Sequence, residues 1–360
     1  MSNNILIMNP FGIGDVIFST PLIDILRKRF PDSFIAYVCN KRSSELLNTN
    51  PNLNKIFIYE KDDYRIIWER SRLEYCRKLF QDMLGLKKFK FNIFIDLSMA
   101  YQYSLLAKVV GIKKRIGFNY RNRGRFLTDK INIKGFDEKH VIECYLAILT
   151  LLDIDIKKYP VSPRIYVTDC DLAAADKILE GDGIKKSDLL IGVVPGCGAS
   201  WGVDAAHRRW DRKNFAVLAD KLIDKYNAKI VLFGDKKEVE ICSDVQSAMK
   251  HEVVNYCGKT SLPELAAFIS RCNLVVTNDG GPLHMAVGLG VNTVSIFGPV
   301  DEKIYGPYMA RGDHRIIFNK GLSCRPCYRK FKYSKCEKRV CLDGISVEDV
   351  LAGAESILKR

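Results

Sequence analysis

No stretch of this 360-residue chain approaches the roughly 18 uninterrupted apolar residues of a membrane span. That excludes a spanning helix. Low-complexity tracts and fixed-period repeats are also missing, which excludes solenoids and repeat arrays. The N-terminus, Met1-Ser2-Asn3-Asn4, has no basic n-region, and its apolar run extends only from Ile5 to Met8. It reads as a first strand rather than a signal peptide, and the expected location is cytoplasmic. The basic residues are not interleaved with aromatics in a nucleic-acid signature, so no nucleic-acid partner is expected. The glycines after the first strand lack the third member of the dinucleotide fingerprint, which argues against an NAD-dependent oxidoreductase.

What is present suits a two-domain globular protein. The chain is long enough for two full cores, and 47% apolar with 27% charged residues is ordinary for that class. Twelve cysteines are too scattered for a disulfide framework. Cys39, Cys76, Cys144, Cys170, Cys197, Cys242, Cys257 and Cys272 read as reduced, mostly buried thiols. The net charge of +14 is concentrated. Lys113, Lys114, Arg115, Arg121, Arg123 and Arg125 run with no acid between them, and Lys320 to Arg339 forms a second basic block. Beyond keeping the surface soluble, such charge fits a polyanionic partner, here an anionic membrane surface or glycolipid.

Short apolar strands alternate with amphipathic helices, which predicts parallel sheets covered on both faces. Ile5–Met8, Phe34–Val38, Lys55–Ile58 and Phe91–Leu97 read as strands of a first sheet, with a helix over Ile17–Phe30. The pattern weakens between Asp153 and Ser187, then restarts. Leu189–Val194, Lys229–Phe233, Leu274–Asn278 and Thr293–Phe297 read as strands of a second sheet. Helices are expected over Asn214–Tyr226, Lys236–Met249, Leu262–Arg271 and Val347–Leu358. The predicted organisation is a domain over 1–170, a second over 171–345 and a final helix over 346–360. Two doubly wound domains facing a central cleft would bind ligands at the C-terminal ends of their strands.

Four strand-to-helix junctions carry candidate chemistry. Asn278-Asp279-Gly280-Gly281-Pro282-Leu283-His284 joins an acid, two glycines that admit close backbone approach, and an imidazole at a helix N-terminus, a setting for a nucleotide diphosphate or simply a tight turn with a capping Asp. Gly12-Ile13-Gly14-Asp15 follows the first strand, and Asp15 is either a helix cap or a carboxylate placed as a general base. Pro195-Gly196-Cys197-Gly198-Ala199-Ser200-Trp201-Gly202 is a glycine-rich loop, followed by His207-Arg208-Arg209-Trp210, whose arginines can hold phosphate. Phe233-Gly234-Asp235-Lys236-Lys237-Glu238 ends a strand with acids suited to ribose hydroxyls or to a solvated helix start.

In chain order these motifs, with Thr20-Pro21 and Phe297-Gly298-Pro299, resemble glycosyltransferase family 9, the ADP-heptose:lipopolysaccharide heptosyltransferases. The resemblance covers nearly the whole chain. It implies a GT-B fold, α/β with two Rossmann-like domains, the acceptor mainly on the first and the nucleotide sugar mainly on the second. It places a general base at Asp15, a basic residue for the donor phosphates at Arg208 with Arg209 beside it, and a ribose-binding acid near Glu238. Donor phosphate and sugar fall to Asp279, Gly280, Gly281 and His284. One departure is Gly280, where the family often has Thr or Ser.

The implied reaction is an inverting transfer of heptose from ADP-heptose to the inner core of lipopolysaccharide, with no cofactor or metal required for catalysis. Lys113, Arg115, Arg121, Arg123 and Arg125 are the expected acceptor-binding cations, and a peripheral place at the cytoplasmic face of the inner membrane is implied. The alternatives are a GT-B transferase using another nucleotide sugar, or a non-catalytic relative that binds anionic glycolipid. Separately, Cys324, Cys327, Cys336 and Cys341 have near-zinc spacing, with cations nearby to favour thiolates, and form a candidate structural zinc site.

Overall fold

The computed structural model describes residues 3–136, 138–198, 202–308, 311–334, 336 and 338–359. The chain divides into two compact units, Met1–Val161 and Ser162–Arg360. Residue 170 lies inside a helix of the second unit, Asp169–Gly181, which Thr168 and Asp171 start with a capping box. Ile165 is bonded through its N–H to the Gly288 carbonyl, so the segment before that helix is also anchored to the second unit.

The first unit is built on β1 (Ile5–Met8), β2 (Ile35–Cys39), β3 (Lys55–Ile58), β4 (Ile93–Asp96), β5 (Lys114–Tyr120) and β6 (Asp129–Ile133). They form one sheet in the order β3-β2-β1-β4-β5-β6. All five pairings are parallel. Its helices are α1 (Ile13–Phe18), α2 (Thr20–Arg29), α3 (Lys41–Leu47), α4 (Lys61–Arg70), α5 (Arg72–Lys87), α6 (Tyr101–Val110) and α7 (Val141–Ala147). β1, β2 and β4 are buried along their whole length, as expected of strands covered on both faces.

The single helix expected over Ile17–Phe30 is broken at Ser19 into α1 and α2. Pro21 has no N–H to give the Ile17 carbonyl, which lies four residues earlier. Thr20 Oγ1 donates to that carbonyl instead, at 2.7 Å. Ser19 Oγ in turn donates to the Val16 carbonyl at 2.7 Å. The break therefore leaves no orphaned acceptor at either carbonyl.

The second unit repeats the plan with β7 (Leu190–Val194), β8 (Lys229–Leu232), β9 (Val254–Asn255), β10 (Leu274–Asn278), β11 (Thr293–Ile296) and β12 (His314–Ile317). The order is β12-β11-β10-β7-β8-β9, again wholly parallel. Its helices are α8 (Asp169–Gly181), α9 (Arg212–Tyr226), α10 (Val239–Ala248), α11 (Leu262–Arg271), α12 (Gly281–Leu289), α13 (Glu302–Tyr305), α14 (Val340–Asp343) and α15 (Val347–Leu358). A small antiparallel hairpin pairs β13 (Tyr328–Arg329) with β14 (Lys332–Tyr333). The last helix, α15, is part of the core: Val350, Ala354 and Ile357 pack with Ile191, Val276 and Trp210.

Each sheet thus has the order of a Rossmann-like fold. Its switch point, where the winding direction reverses, lies between β1 and β4 in the first unit and between β7 and β10 in the second. Loops leaving the C-terminal ends of those strands diverge there and open a crevice suited to ligands.

Candidate active site

At the first switch point the chain leaves β1 through Asn9 and enters α1. Asn9 shapes this turn twice: its Oδ1 accepts from Phe11 N–H at 3.3 Å, and its Nδ2 donates to the Asp15 carbonyl at 3.2 Å. Asn40 Nδ2 donates to the Phe11 carbonyl at 2.6 Å while its own Oδ1 caps α3 through Ser43 N–H. Asp15 falls in the first turn of α1 and does not cap it, because the cap position is Gly12. Its carboxylate is free to face the turn, and Tyr145 OH donates to Oδ1 at 3.2 Å. Tyr145 is itself buried and packed against Phe118 and Phe136. Burial pushes the Asp15 carboxyl up to about 6, with the Tyr145 bond pulling the other way. The residue stays partly exposed, so its carboxyl, raised toward neutrality, is open to a partner.

β4 brings a second carboxyl to the same edge, since Asp96 is registered opposite Met8 of β1. Asp96 Oδ1 accepts from the Ser98 N–H at 2.9 Å and from the Ser98 hydroxyl. Burial drives this group up to about 7, against those two bonds. Sequence reading passed over Asp96 because it ends an ordinary apolar strand. Its signal was only an acid closing a strand in the middle of a parallel sheet.

At the second switch point three buried side chains tie the loops together. Asn278, the last residue of β10, accepts from Trp210 N–H at 2.9 Å and donates to the Pro195 and Gly196 carbonyls at 2.8 and 3.0 Å. Glu238 Oε1 accepts from the N–H groups of Cys197 and Gly198, both at 2.9 Å, and Oε2 from Asp235 N–H at 3.1 Å. A side chain at Gly196 would collide with the Glu238 carboxylate. Glu238 therefore holds the glycine-rich loop, and Arg209 stands 3.6 Å from its Oε1. Asp279 and Arg208 form a buried ion pair at 2.6 Å, and the same Nη2 of Arg208 donates to the Asp279 carbonyl at 2.9 Å. Burial pushes the Asp279 carboxyl up; Arg208 and, more weakly, Arg325 oppose it. His284 lies on the first turns of α12 with Nε2 3.9 Å from Asp279 Oδ1. Pro282 occupies the first turn of α12, and the helix N-terminus at Gly280-Gly281 faces this group. A guanidinium, free backbone N–H groups and a shaped glycine loop together suit a phosphate-bearing ligand.

A model of glycosyltransferase family 9 (heptosyltransferase) matches residues 77–338. The chain belongs to glycosyltransferase family 9. Lipooligosaccharide heptosyltransferase 2 of Campylobacter jejuni is 27% identical to it over 98% of this chain and 97% of its own length. Among solved structures, a family 9 glycosyltransferase from Veillonella parvula superposes with a TM-score of 0.83 at 26% identity, covering 99% of this chain and 98% of that one. An ADP-heptose heptosyltransferase II from Escherichia coli gives 0.76 at 22% identity, covering 99% and 98%, and shares the GT-B fold. The chain is accordingly a glycosyltransferase of that fold.

Within this family 9 member the basic run does not form one patch. Lys113 and Arg115 lie at the start of β5, while Arg121 and Arg123 follow its end, about 20 Å away along seven strand residues; Arg125 lies on the return to β6, one residue before Phe126, whose carbonyl meets Arg115. Arg115 is folded onto its own backbone, donating to the carbonyls of Phe126 at 2.7 Å, Ile112 at 2.5 Å and Lys113 at 3.0 Å. Arg121 and Arg123 are exposed at the C-terminal edge of the sheet, on the same side as Asp15. Arg125 stacks on Tyr101 at 4.5 Å.

Cys324, Cys327, Cys336 and Cys341, the candidate zinc ligands, all lie among the described residues. Among the described residues no group of three or more His, Cys, Asp or Glu side chains is arranged to hold a metal ion. Cys324 is exposed while Cys341 is buried. Burial first, and then the neighbouring thiols, push Cys327 and Cys341 up, and the pull of Arg325 is smaller. The segment packs on the β11 loop. Arg325 donates to the Gly298 carbonyl at 2.7 Å, to Val300 at 3.0 Å and to Glu302 at 2.8 Å. Ala199-Ser200-Trp201 of the glycine-rich motif lie outside the described residues.

Proposed function

We propose that this glycosyltransferase moves heptose from ADP-heptose to the inner core of lipopolysaccharide, working as a peripheral protein at the cytoplasmic face of the inner membrane. The observation that carries the donor and acceptor class is the full-length likeness to Lipooligosaccharide heptosyltransferase 2. Side-chain geometry supports the roles. Asp15 takes the proton from an acceptor hydroxyl as that oxygen bonds to the anomeric carbon. The bond from that carbon to the diphosphate breaks on the opposite face, and ADP leaves with the electron pair. Arg208, aimed by Asp279, and the α12 N-terminus at Gly280-Gly281 offset the charge that grows on the leaving phosphate. His284 and Arg209 border the same donor-side group. Glu238 acts through the loop that it holds, so its replacement alters the nucleotide seat as a whole. Arg121, Arg123 and Arg125 face the anionic acceptor; Lys113 and Arg115, at the other edge of the sheet, do not enter the reading.

The test is calorimetry with ADP, UDP and GDP, followed by transfer from ADP-heptose. Tightest binding of ADP, lost in Asp279→Ala, and transfer that needs Asp15 are expected. A UDP or GDP preference would replace the donor. No nucleotide binding would return the non-catalytic alternative. Reversing charge at Arg121 and Arg123 is expected to raise the acceptor KM and spare ADP affinity; equal damage to both would discard the acceptor assignment.

A further inference from the structure

The first unit carries a solvent-facing apolar stripe that the reaction does not use. On α5, Leu73, Phe80 and Leu84 are 81%, 58% and 51% exposed. At 3.6 residues per turn they fall within about 40° of one another and span about 16 Å. The inward side of α5 is a different one, formed by Tyr75, Leu79 and Leu86, which are partly buried. The stripe therefore cannot be turned to the core by a small rotation. Elsewhere in this region Ile66 and Trp68 of α4, about 160° apart on that helix, are 58% and 46% exposed, and Ile58 at the end of β3 is 57% exposed. Trp68 is held edge-on to Tyr75 at 5.0 Å, with Arg72 over its ring at 5.3 Å.

Charge decides what this face fits. Arg77 and Lys87 flank the stripe within about 40° on either side, while Glu74 and Asp82 project about 100° and 180° away. The acids are also engaged elsewhere: Glu74 with Arg70 at 3.9 Å and Asp82 with Lys78 at 2.8 Å. Among the described residues neither Arg77 nor Lys87 enters an ion pair. On α5 the aliphatic and aromatic ridge is edged only by cations, while Asp62 and Glu69 of α4 are paired with Arg65 at 3.4 and 4.0 Å; such a ridge matches an interface of acyl chains beneath anionic headgroups.

We propose that α5 docks this protein on an anionic lipid bilayer, with Leu73, Phe80 and Leu84 entering the acyl boundary and Arg77 and Lys87 meeting the headgroup phosphates. For its purpose, presenting the enzyme to a lipid-anchored acceptor, the proposal rests on the reading above. The docking itself needs neither donor nor acceptor.

The experiment is sedimentation of the full chain with vesicles of phosphatidylethanolamine and phosphatidylglycerol, against vesicles of phosphatidylcholine alone. Binding to the anionic vesicles is expected. The variant Leu73→Ser/Phe80→Ser/Leu84→Ser should lose about tenfold or more in partition. Arg77→Glu/Lys87→Glu should lose at least about fivefold, as should raised salt. Both variants should keep ADP affinity and transfer to a short soluble acceptor. Equal binding of wild type and triple variant overturns the proposal, as does equal binding to both vesicle types. Failure to bind any vesicle with a concentration-dependent dimer that the triple variant abolishes would assign the stripe to a second copy instead. None of these outcomes depends on the sugar transferred, whereas loss of ADP binding or of transfer in solution would strike the function and leave docking untouched.

Discussion

At the residue scale the decisive quantity is the proton affinity of Asp15. A carboxylate at its ordinary 3.8 would be a weak base, whereas burial raises Asp15 to about 6, close to working pH. Activity should therefore fall on an acid limb near pH 6. Tyr145 OH is the group that tempers this rise, since its bond stabilises the ionised form. Tyr145→Phe should move the acid limb upward and leave ADP affinity unchanged, a shift seen in kcat/KM against pH. Asp15→Asn should lower kcat by about 10²–10⁴-fold, the usual worth of a placed general base. An unmoved limb in Tyr145→Phe would mean that another group controls the rate. Tyr145 could not be singled out from sequence: it lies 130 residues from Asp15 and reads as one more core aromatic.

At the element scale the two glycines after β10 and β1 look alike in sequence and behave differently in the fold. A Cβ on Gly280 would fall inside contact distance of the Cys197 carbonyl, whereas one on Gly12 would meet nothing within 4 Å. Gly280→Ala must displace either the glycine-rich loop or α12, both backbone, at a cost of about 1–3 kcal/mol. Weaker ADP binding and a lower Tm are expected there; Gly12→Ala should be near neutral in both. Matched effects at the two positions would sink the argument. Most elements were legible from alternation and turn residues: β10, α11 and α15 occupy the ranges read from sequence. β5 was missed for a physical reason. β5 reads Lys-Arg-Ile-Gly-Phe-Asn-Tyr, and its cations hide the strand by suggesting a surface patch. Only pairing to β4 and β6 makes it a strand, and that pairing is tertiary. The same masking hid that the strand sets Lys113 and Arg115 at one edge of the sheet and Arg121 and Arg123 at the other. The Glu238 bonds were illegible too, because they link positions 40 and 41 residues apart.

At the scale of the molecule, one strand order is used twice, and each switch point holds buried acid. In the second unit Asp279 is partnered by Arg208; in the first, Asp15 and Asp96 have only hydroxyl and N–H donors. The consequence is a pH dependence of stability with a definite sign. A carboxyl raised in the fold holds its proton between 3.8 and its folded value, while the unfolded chain has already released it. Its contribution is full below 3.8 and is lost as pH rises through about 6 for Asp15 and about 7 for Asp96. Above that window each ionised group is a standing cost, on the order of 3–4 kcal/mol. Asp96→Asn removes the ionisation and keeps an oxygen for Ser98, so it should raise Tm relative to wild type at pH 8. That gain should shrink through pH 7 to 5 and vanish near pH 4. Thermal unfolding of the two proteins across that range checks it. A gain that stays constant with pH would show that Asp96 titrates in the fold as it does in the unfolded chain, and the cost assigned to the first switch point would have to lie with Asp15 alone.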